Sequence, residues 1–298
     1  MKITDYEMLY DLPAGEYDGR GFRGVRTVTV RAGASLEVMC YPCMPLTAEA
    51  KREAKARRTK PGMDAVNRRN TQRHVLRLIE NNFTPAAVVF TGTYAYPQAE
   101  YGMCNLEELT EFYMARKLPW DVERVKKDAR NFLAKLRRMV KKAAGDVKGF
   151  RWILRIEEGV EPPVGGLPPK YHIHALIEGP GLTRDAIEAA WWAHGGADTR
   201  YLDLRDDGSG RLSNYLTKQR RGGRWWSHSR NLKAPRARVS DRRMSRRRLS
   251  SVAADVQRNG REIFEALYPG YRVVELPDVK YSDFMPGAYI YCRMRRRE

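Results

Sequence analysis

The sequence predicts an α+β protein: a central antiparallel sheet with helices on one face, extended at both ends by basic segments. Three observations carry that expectation. Residues 150–159 and 171–179 are apolar runs with the two-residue alternation of strands, and the loop between them is rich in Pro and Gly, which favours an antiparallel pair. Residues 86–94 form another apolar run that ends in the small, polar Thr91-Gly92-Thr93, the pattern of a central strand with a functional end. Between them Val125, Ala129, Phe132, Leu133, Leu136, Met139 and Val140 recur at helical spacing over 121–142, with Lys126, Lys127, Arg130, Lys135, Arg137 and Arg138 on the other face.

Taken in order, residues 1–48 read as a β-rich segment, with strands at 27–31 and 36–40 joined by a turn at Gly33. Residues 49–82 are basic and helical. Lys51, Arg52, Lys55, Arg57 and Arg58 leave almost no apolar face, and a second helix is expected after Pro61-Gly62 with Asp64 as N-cap. Val66, His74, Val75, Leu78 and Ile79 give it a partial stripe, and the density of Arg68, Arg69, Arg73 and Arg77 favours contact with phosphates. Residues 83–225 hold the central domain. It includes helices expected over 106–118 and 183–194, the latter N-capped by Thr183, with Trp191 and Trp192 both packing. A short strand is expected at 201–204 and the start of a helix at 212–219. Residues 226–298 form a basic C-terminal region. A helix is expected over 240–259, then short strands at 271–275 and 289–291, and a basic tail.

Composition narrows the function classes. The chain has 298 residues and a formal net charge of +19, so a polyanion is the expected partner, with Lys and Arg neutralising phosphates. No apolar run approaches the length of a membrane span and no secretory leader is evident, so neither membrane nor secretion is expected. Four cysteines build no disulfide framework and fit a reducing cytoplasm; Cys40 and Cys43 form a lone C-x-x-C with no second half for a zinc site. Arg220, Arg221, Arg224, Trp225, Trp226 and Arg230 interleave cations with aromatics, which suits a single strand whose bases stack while Arg tracks its phosphates. Two packed tryptophans on a strand are the alternative.

The chemistry centres on Tyr171-His172-Ile173-His174-Ala175-Leu176-Ile177-Glu178. In a strand His172 and His174 share a face, and neutral imidazoles there can supply two corners of a divalent metal site. On the preceding strand Trp152, Leu154, Ile156 and Glu158 share the more apolar face, while Ile153, Arg155 and Glu157 share the other. Glu157 is therefore the favoured third ligand, with Glu158 as the alternative.

In chain order the sequence has Phe90-Thr91-Gly92-Thr93, Glu157-Glu158-Gly159, His172-Ile173-His174 and Tyr215-Leu216-Thr217-Lys218. This set resembles the HUH (His-hydrophobe-His) endonucleases of rolling-circle replication. Residues 55–93 and Ser229-Arg230-Asn231-Leu232-Lys233 look further like replication-associated proteins of bacterial plasmids, phages and integrated elements. The resemblance covers about residues 50–240. Gly92 departs from it, because the first motif usually carries two threonines separated by a larger residue.

The resemblance implies an RRM-like antiparallel sheet of about five strands with the His strand near its middle. It implies Tyr215 as nucleophile with Lys218 one helical turn away, a divalent Mn²⁺ or Mg²⁺ on His172, His174 and a carboxylate, and Thr91 and Thr93 near the DNA. Gln219 is a third candidate ligand, because related single-tyrosine transposases use a Tyr-x-x-x-Gln helix. The implied activity is sequence-specific nicking and joining of single-stranded DNA through a 5′-phosphotyrosyl link, in a bacterial cytoplasm, at an origin with or without a hairpin. No G-x-x-x-x-G-K-[ST] is present, so unwinding is expected from a separate host helicase. One tyrosine per site makes a homo-oligomer one expected arrangement. The alternatives are a relaxase, which would use Tyr6 or Tyr10, a transposase, or a nucleic-acid-binding module without catalysis.

Overall fold

The computed structural model describes residues 24–43, 52, 56, 60–96, 106–115, 117–119, 121–159, 170–205, 208–217, 226–282 and 285–297. In chain order the elements are β1 (Gly24–Ala32), β2 (Ser35–Cys43), α1 (Lys60–Asn82), β3 (Val88–Thr93), α2 (Leu106–Ala115), α3 (Val122–Ala144), β4 (Arg151–Glu158) and β5 (Tyr171–Glu178). Then come α4 (Arg184–Trp191), β6 (Ala197–Tyr201), α5 (Gly208–Thr217), β7 (Trp226–His228), β8 (Ala237–Ser240), α6 (Arg246–Ala254), α7 (Val256–Leu267), β9 (Tyr271–Val273), β10 (Asp278–Ser282) and β11 (Met285–Arg296). Asn82–Leu232 form one compact unit, and the segments up to Asn81 and from Lys233 combine into another. The protein is α+β, with an antiparallel sheet in each unit.

In the central unit the strand order is β6-β3-β5-β4-β7, all neighbours antiparallel, with β5 in the middle. One face is apolar for a simple reason of period: Tyr171, Ile173, Ala175 and Ile177 alternate out of β5, beside Val88, Phe90, Leu154 and Ile156. They pack under Val125, Phe132 and Leu136 of α3 and Ile187 and Trp191 of α4, each fully buried side chain contributing about 1.5–3 kcal/mol relative to exposure. The helical stripe of α3 is the expected one. Asp121 caps its start by accepting from the Arg124 amide at 2.8 Å, and Gly145, at φ 78°, ends it by donating to the Lys141 carbonyl. The opposite face of this sheet is polar and carries the histidines.

The second unit shows what the terminal extensions become. Its sheet runs β10-β11-β2-β1-β8, with β9 added to β11. Leu36, Val38 and Cys40 face Leu249, Val252 and Phe264 of α6 and α7. Against the other side lies α1, whose Arg77 grips the buried Glu37 through two bonds of 2.8 and 2.7 Å and whose Arg73 lies 3.6 Å from the ring centre of Tyr291. Arg295 of β11 closes on Glu80 of α1 at 2.8 Å. Arg73 and Arg77, expected to meet phosphates, are thus committed inside the fold.

Several element boundaries differ from expectation. The described part of helix α1, Lys60–Asn82, includes Pro61-Gly62 and Asp64, so Asp64 lies inside the helix and not at its N-cap. The helix expected over 240–259 is two: Asp255 ends α6 and N-caps α7, accepting from the Arg258 amide at 2.9 Å. The basic tail is the long strand β11, paired with β2 from Ile290 to Arg295. The short strand expected at 201–204 lies earlier, as β6. Trp191 is core, but Trp192 is 79% exposed, since α4 ends at Trp191 and the next residue leaves its buried stripe. Cys40 is buried against Thr27 while Cys43, an odd number of residues away, projects from the other side of β2. Among the described residues no helix is long and apolar enough to cross a membrane.

Candidate active site

Register brings the sequence-identified positions onto the polar face of the central sheet. Thr93 pairs with His172 and His172 with Glu157; Thr91 pairs with His174 and His174 with Arg155. Directly paired residues share a face, so these six side chains form two adjacent rows across β3, β5 and β4. The second row continues to Asp198 at one edge and Trp226 at the other. Glu158 pairs with Tyr171 and falls on the helix-covered face. Of the two carboxylates, Glu157 is therefore the one beside the histidines.

His174 is the hub. It is 4% exposed, and its Nε2 lies 2.8 Å from Glu157 Oε2. Its Nδ1 lies 3.1 Å from Thr91 Oγ1, and the Tyr215 hydroxyl lies 3.0 Å from both ring nitrogens. One proton assignment satisfies this set: Nε2–H donates to Glu157, and Nδ1 accepts from a hydroxyl, with Thr91 and Tyr215 competing for it. The tyrosine ring meets the imidazole at 75° with centroids 4.7 Å apart. His172 is half-buried on the same face, its ring centre 6.4 Å from that of His174.

Tyr215 is delivered by α5, which buries Leu212, Ser213, Leu216 and Thr217 and leaves Tyr215 42% exposed. Arg155 fixes the helix from below. Its guanidinium donates to the Tyr215 carbonyl near the end of the described part of α5, and its other nitrogen lies 3.7 Å from Glu157 Oε1. Sequence reasoning assigned Arg155 no role; the signal was there, an arginine two residues before Glu157 on the same face of an otherwise apolar strand.

Gly92 has a packing cause. A Cβ there would lie 2.7 Å from the Phe90 ring and 2.8 Å from Trp191. The indole sits on the strand backbone and donates from Nε1 to the Thr93 carbonyl at 3.1 Å. Thr93 itself donates to the Gly196 carbonyl at 3.2 Å. The departure from the usual first motif is thus the space that Trp191 occupies.

Electrostatics keep the two imidazoles neutral and the Tyr215 phenol protonated. Burial pushes the His174 imidazole down to about 4, outweighing the opposing pull of Glu157, and burial lowers His172 as well. Burial, helped by the Glu157 charge, raises Tyr215 above the usual phenol value, with Arg155 and Arg200 pulling the other way. Two neutral imidazoles and one carboxylate are the donor types a divalent cation takes. In the described arrangement Glu157 and His174 are bonded to each other, and among the described residues no three His, Cys, Asp or Glu side chains converge on one point. A cation on these donors therefore replaces the Glu157–His174 hydrogen bond.

Trp226 stacks on His228, centroids 5.6 Å apart, and Arg230 lies exposed in the following turn. Lys218, Gln219, Arg220, Arg221, Arg224 and Trp225 lie outside the described residues, as do Tyr6 and Tyr10. Comparison of the chain with family models, curated proteins and solved structures finds no match to any of them.

Proposed function

We propose that this protein is an HUH-type endonuclease that nicks and rejoins single-stranded DNA at a replication origin, with Tyr215 as nucleophile. The observation that carries the reading is the Tyr215 hydroxyl held 3.0 Å from the His174 nitrogens, with His174 in turn oriented by Glu157 at 2.8 Å. A hydroxyl, a nitrogen beside it and a third group fixing that nitrogen are the arrangement of a positioned nucleophile. The five-stranded antiparallel sheet with the histidine strand at its centre supports the same family, as does the formal charge of +19.

In the reaction the phenolic oxygen of Tyr215 attacks phosphorus, a phosphotyrosyl bond forms, and the bond from phosphorus to the 3′ oxygen breaks. The phenolic proton is released and the 3′ oxygen ends as a hydroxyl. The polarity follows the family resemblance. The phenol starts at a disadvantage, because burial and Glu157 both favour its protonated form and His174 is too weak a base to take the proton. Mn²⁺ or Mg²⁺ on His172, His174 and Glu157 would supply the missing positive charge, polarising the scissile phosphate. The chain itself does the positioning. Arg155 holds the end of α5, the exposed edge of Tyr215 meets the strand, and Trp226 offers a stacking surface at the sheet edge.

The experiment is incubation of the full chain with Mn²⁺ and single-stranded oligonucleotides from the DNA around its gene, read by denaturing gel and mass spectrometry. A nucleotide adduct on Tyr215, absent from Tyr215→Phe and from His172→Ala/His174→Ala, is the expected result. An adduct on Tyr6 or Tyr10 moves the protein to the relaxases. Tight binding without any adduct leaves a nucleic-acid-binding module.

A further inference from the structure

We propose that the second unit carries a phosphate-binding pocket, separate from the tyrosine site, between β1, β8 and the C-terminal end of α7. The inference does not depend on the nicking reading. A cavity of about 220 Å³ opens there, smaller than pockets that enclose a whole drug-sized ligand, so it suits one charged group of a larger molecule or a small ion. Its walls are cationic and hydroxylic: Arg31, Arg238 and Arg243, with Thr29, Ser240 and Tyr268. No acidic side chain lines it among the described residues.

Register explains the convergence. Thr27 pairs with Ser240 and Thr29 with Arg238, so β1 and β8 present these side chains on the face that α7 covers. Arg243 is held at the mouth by donating to the Leu267 carbonyl at 3.2 Å, and its guanidinium carbon lies 5.2 Å from the Tyr268 ring centre.

The independent sign of a ligand is Tyr268. It is 5% exposed, yet its hydroxyl has no hydrogen-bond partner among the described residues. A buried hydroxyl without a partner costs about 1–3 kcal/mol, so native proteins seldom keep one without a use. Burial raises this phenol above its ordinary value, so the hydroxyl remains a donor at neutral pH. The Tyr268 phenol lies near the charges of Arg31 and Arg243, and three arginines around one cavity ask for an anion with several acceptor oxygens, such as a tetrahedral phosphate. Carboxylates and sulfates share part of that chemistry, but the +19 chain meets phosphate wherever it meets nucleic acid. The phosphate comes either from a nucleic-acid strand or from a free nucleotide or inorganic phosphate.

The test uses the full chain and the variants Tyr268→Phe and Arg243→Gln. Inorganic phosphate, a deoxynucleoside 5′-monophosphate and a single-stranded oligonucleotide are titrated in turn, followed by calorimetry and thermal unfolding. Inorganic phosphate is expected to bind and raise the unfolding temperature of the wild type. Tyr268→Phe should unfold no earlier than wild type without ligand, since it deletes an unpartnered hydroxyl, yet bind phosphate about tenfold more weakly. Arg243→Gln, an exposed change, should weaken phosphate by about tenfold or more. Displacement of inorganic phosphate by the oligonucleotide assigns the site to a nucleic-acid strand; displacement by the mononucleotide alone assigns it to a free nucleotide. The proposal is overturned if phosphate does not bind the wild type, or if both variants bind it as the wild type does. It is equally overturned if Tyr268→Phe loses stability without ligand while keeping its phosphate affinity, because the hydroxyl then serves a water molecule.

Discussion

Replacing Arg155 by methionine tests whether one guanidinium positions Tyr215, the proposed nucleophile. The change keeps the buried stem and removes the charged head that donates to the Tyr215 carbonyl and flanks Glu157. A hydrogen bond from a charged donor is worth about 1.5–3 kcal/mol. The carbonyl sits in the last described turn of α5. The expected loss is about 2 kcal/mol, or a drop in unfolding temperature of about 5 °C for a unit of this size. Tryptophan fluorescence reads it selectively, because all six tryptophans (Trp120, Trp152, Trp191, Trp192, Trp225 and Trp226) fall within Asn82–Leu232. At a temperature where both proteins are folded, the rate of adduct formation on a single-stranded oligonucleotide should fall by about a hundredfold, the cost of a reacting atom displaced by roughly 1 Å. A urea midpoint equal to wild type together with an unchanged adduct rate would refute the positioning role. A stability loss with an unchanged rate would reduce Arg155 to a helix anchor.

Three further outcomes follow from the geometry. Glu157→Gln should weaken Mn²⁺ binding, measured by electron paramagnetic resonance, by about tenfold or more, whereas Glu158→Gln, on the helix-covered face, should leave it unchanged; equal effects would place the ion elsewhere. Gly92→Ala should destabilise the central unit by about 1–3 kcal/mol in urea titrations and shift the emission of Trp191, since the new methyl meets two aromatic rings below 3 Å; a silent substitution would mean the indole moves aside freely. At pH 8 Cys40, pushed up to about 12 by burial, should be alkylated far more slowly than the partly exposed Cys43, because roughly one thiol in ten thousand is ionised. Peptide mapping at early times distinguishes them, and equal labelling would show that β2 opens readily.

What the sequence disclosed was local. Alternation alone placed His172 and His174 on one face and preferred Glu157 to Glu158, and the stripe of α3 was readable because its period is set within one helix. The pairing of Glu157 with His172 was not readable, since twelve residues, 159–170, separate the strands and no side-chain pattern counts them. The second unit was still further from view. Its β1–β8 and β2–β11 contacts join residues more than two hundred positions apart, so each end looked like an appendage of basic residues. Arg73 and Arg77 had the appearance of phosphate contacts because their partners, Tyr291 and Glu37, lie on strands whose proximity no local pattern announces. Gly92 looked like a defect until Trp191 was seen to lie on it.

The interruption of the second unit by Asn82–Leu232 has a consequence for the newborn chain. β2 leaves the ribosome roughly 250 residues before its neighbour β11, since Cys40 pairs with Ile290. At about 5–20 residues per second the wait is on the order of tens of seconds. Throughout it β2, which is buried over eight of its nine positions in the finished protein, stands with an open edge that other nascent strands can join. The central unit is one continuous stretch and closes as soon as Leu232 clears the tunnel. A ribosome halted just past that point therefore carries a finished histidine-bearing sheet tethered to a sticky, half-built one.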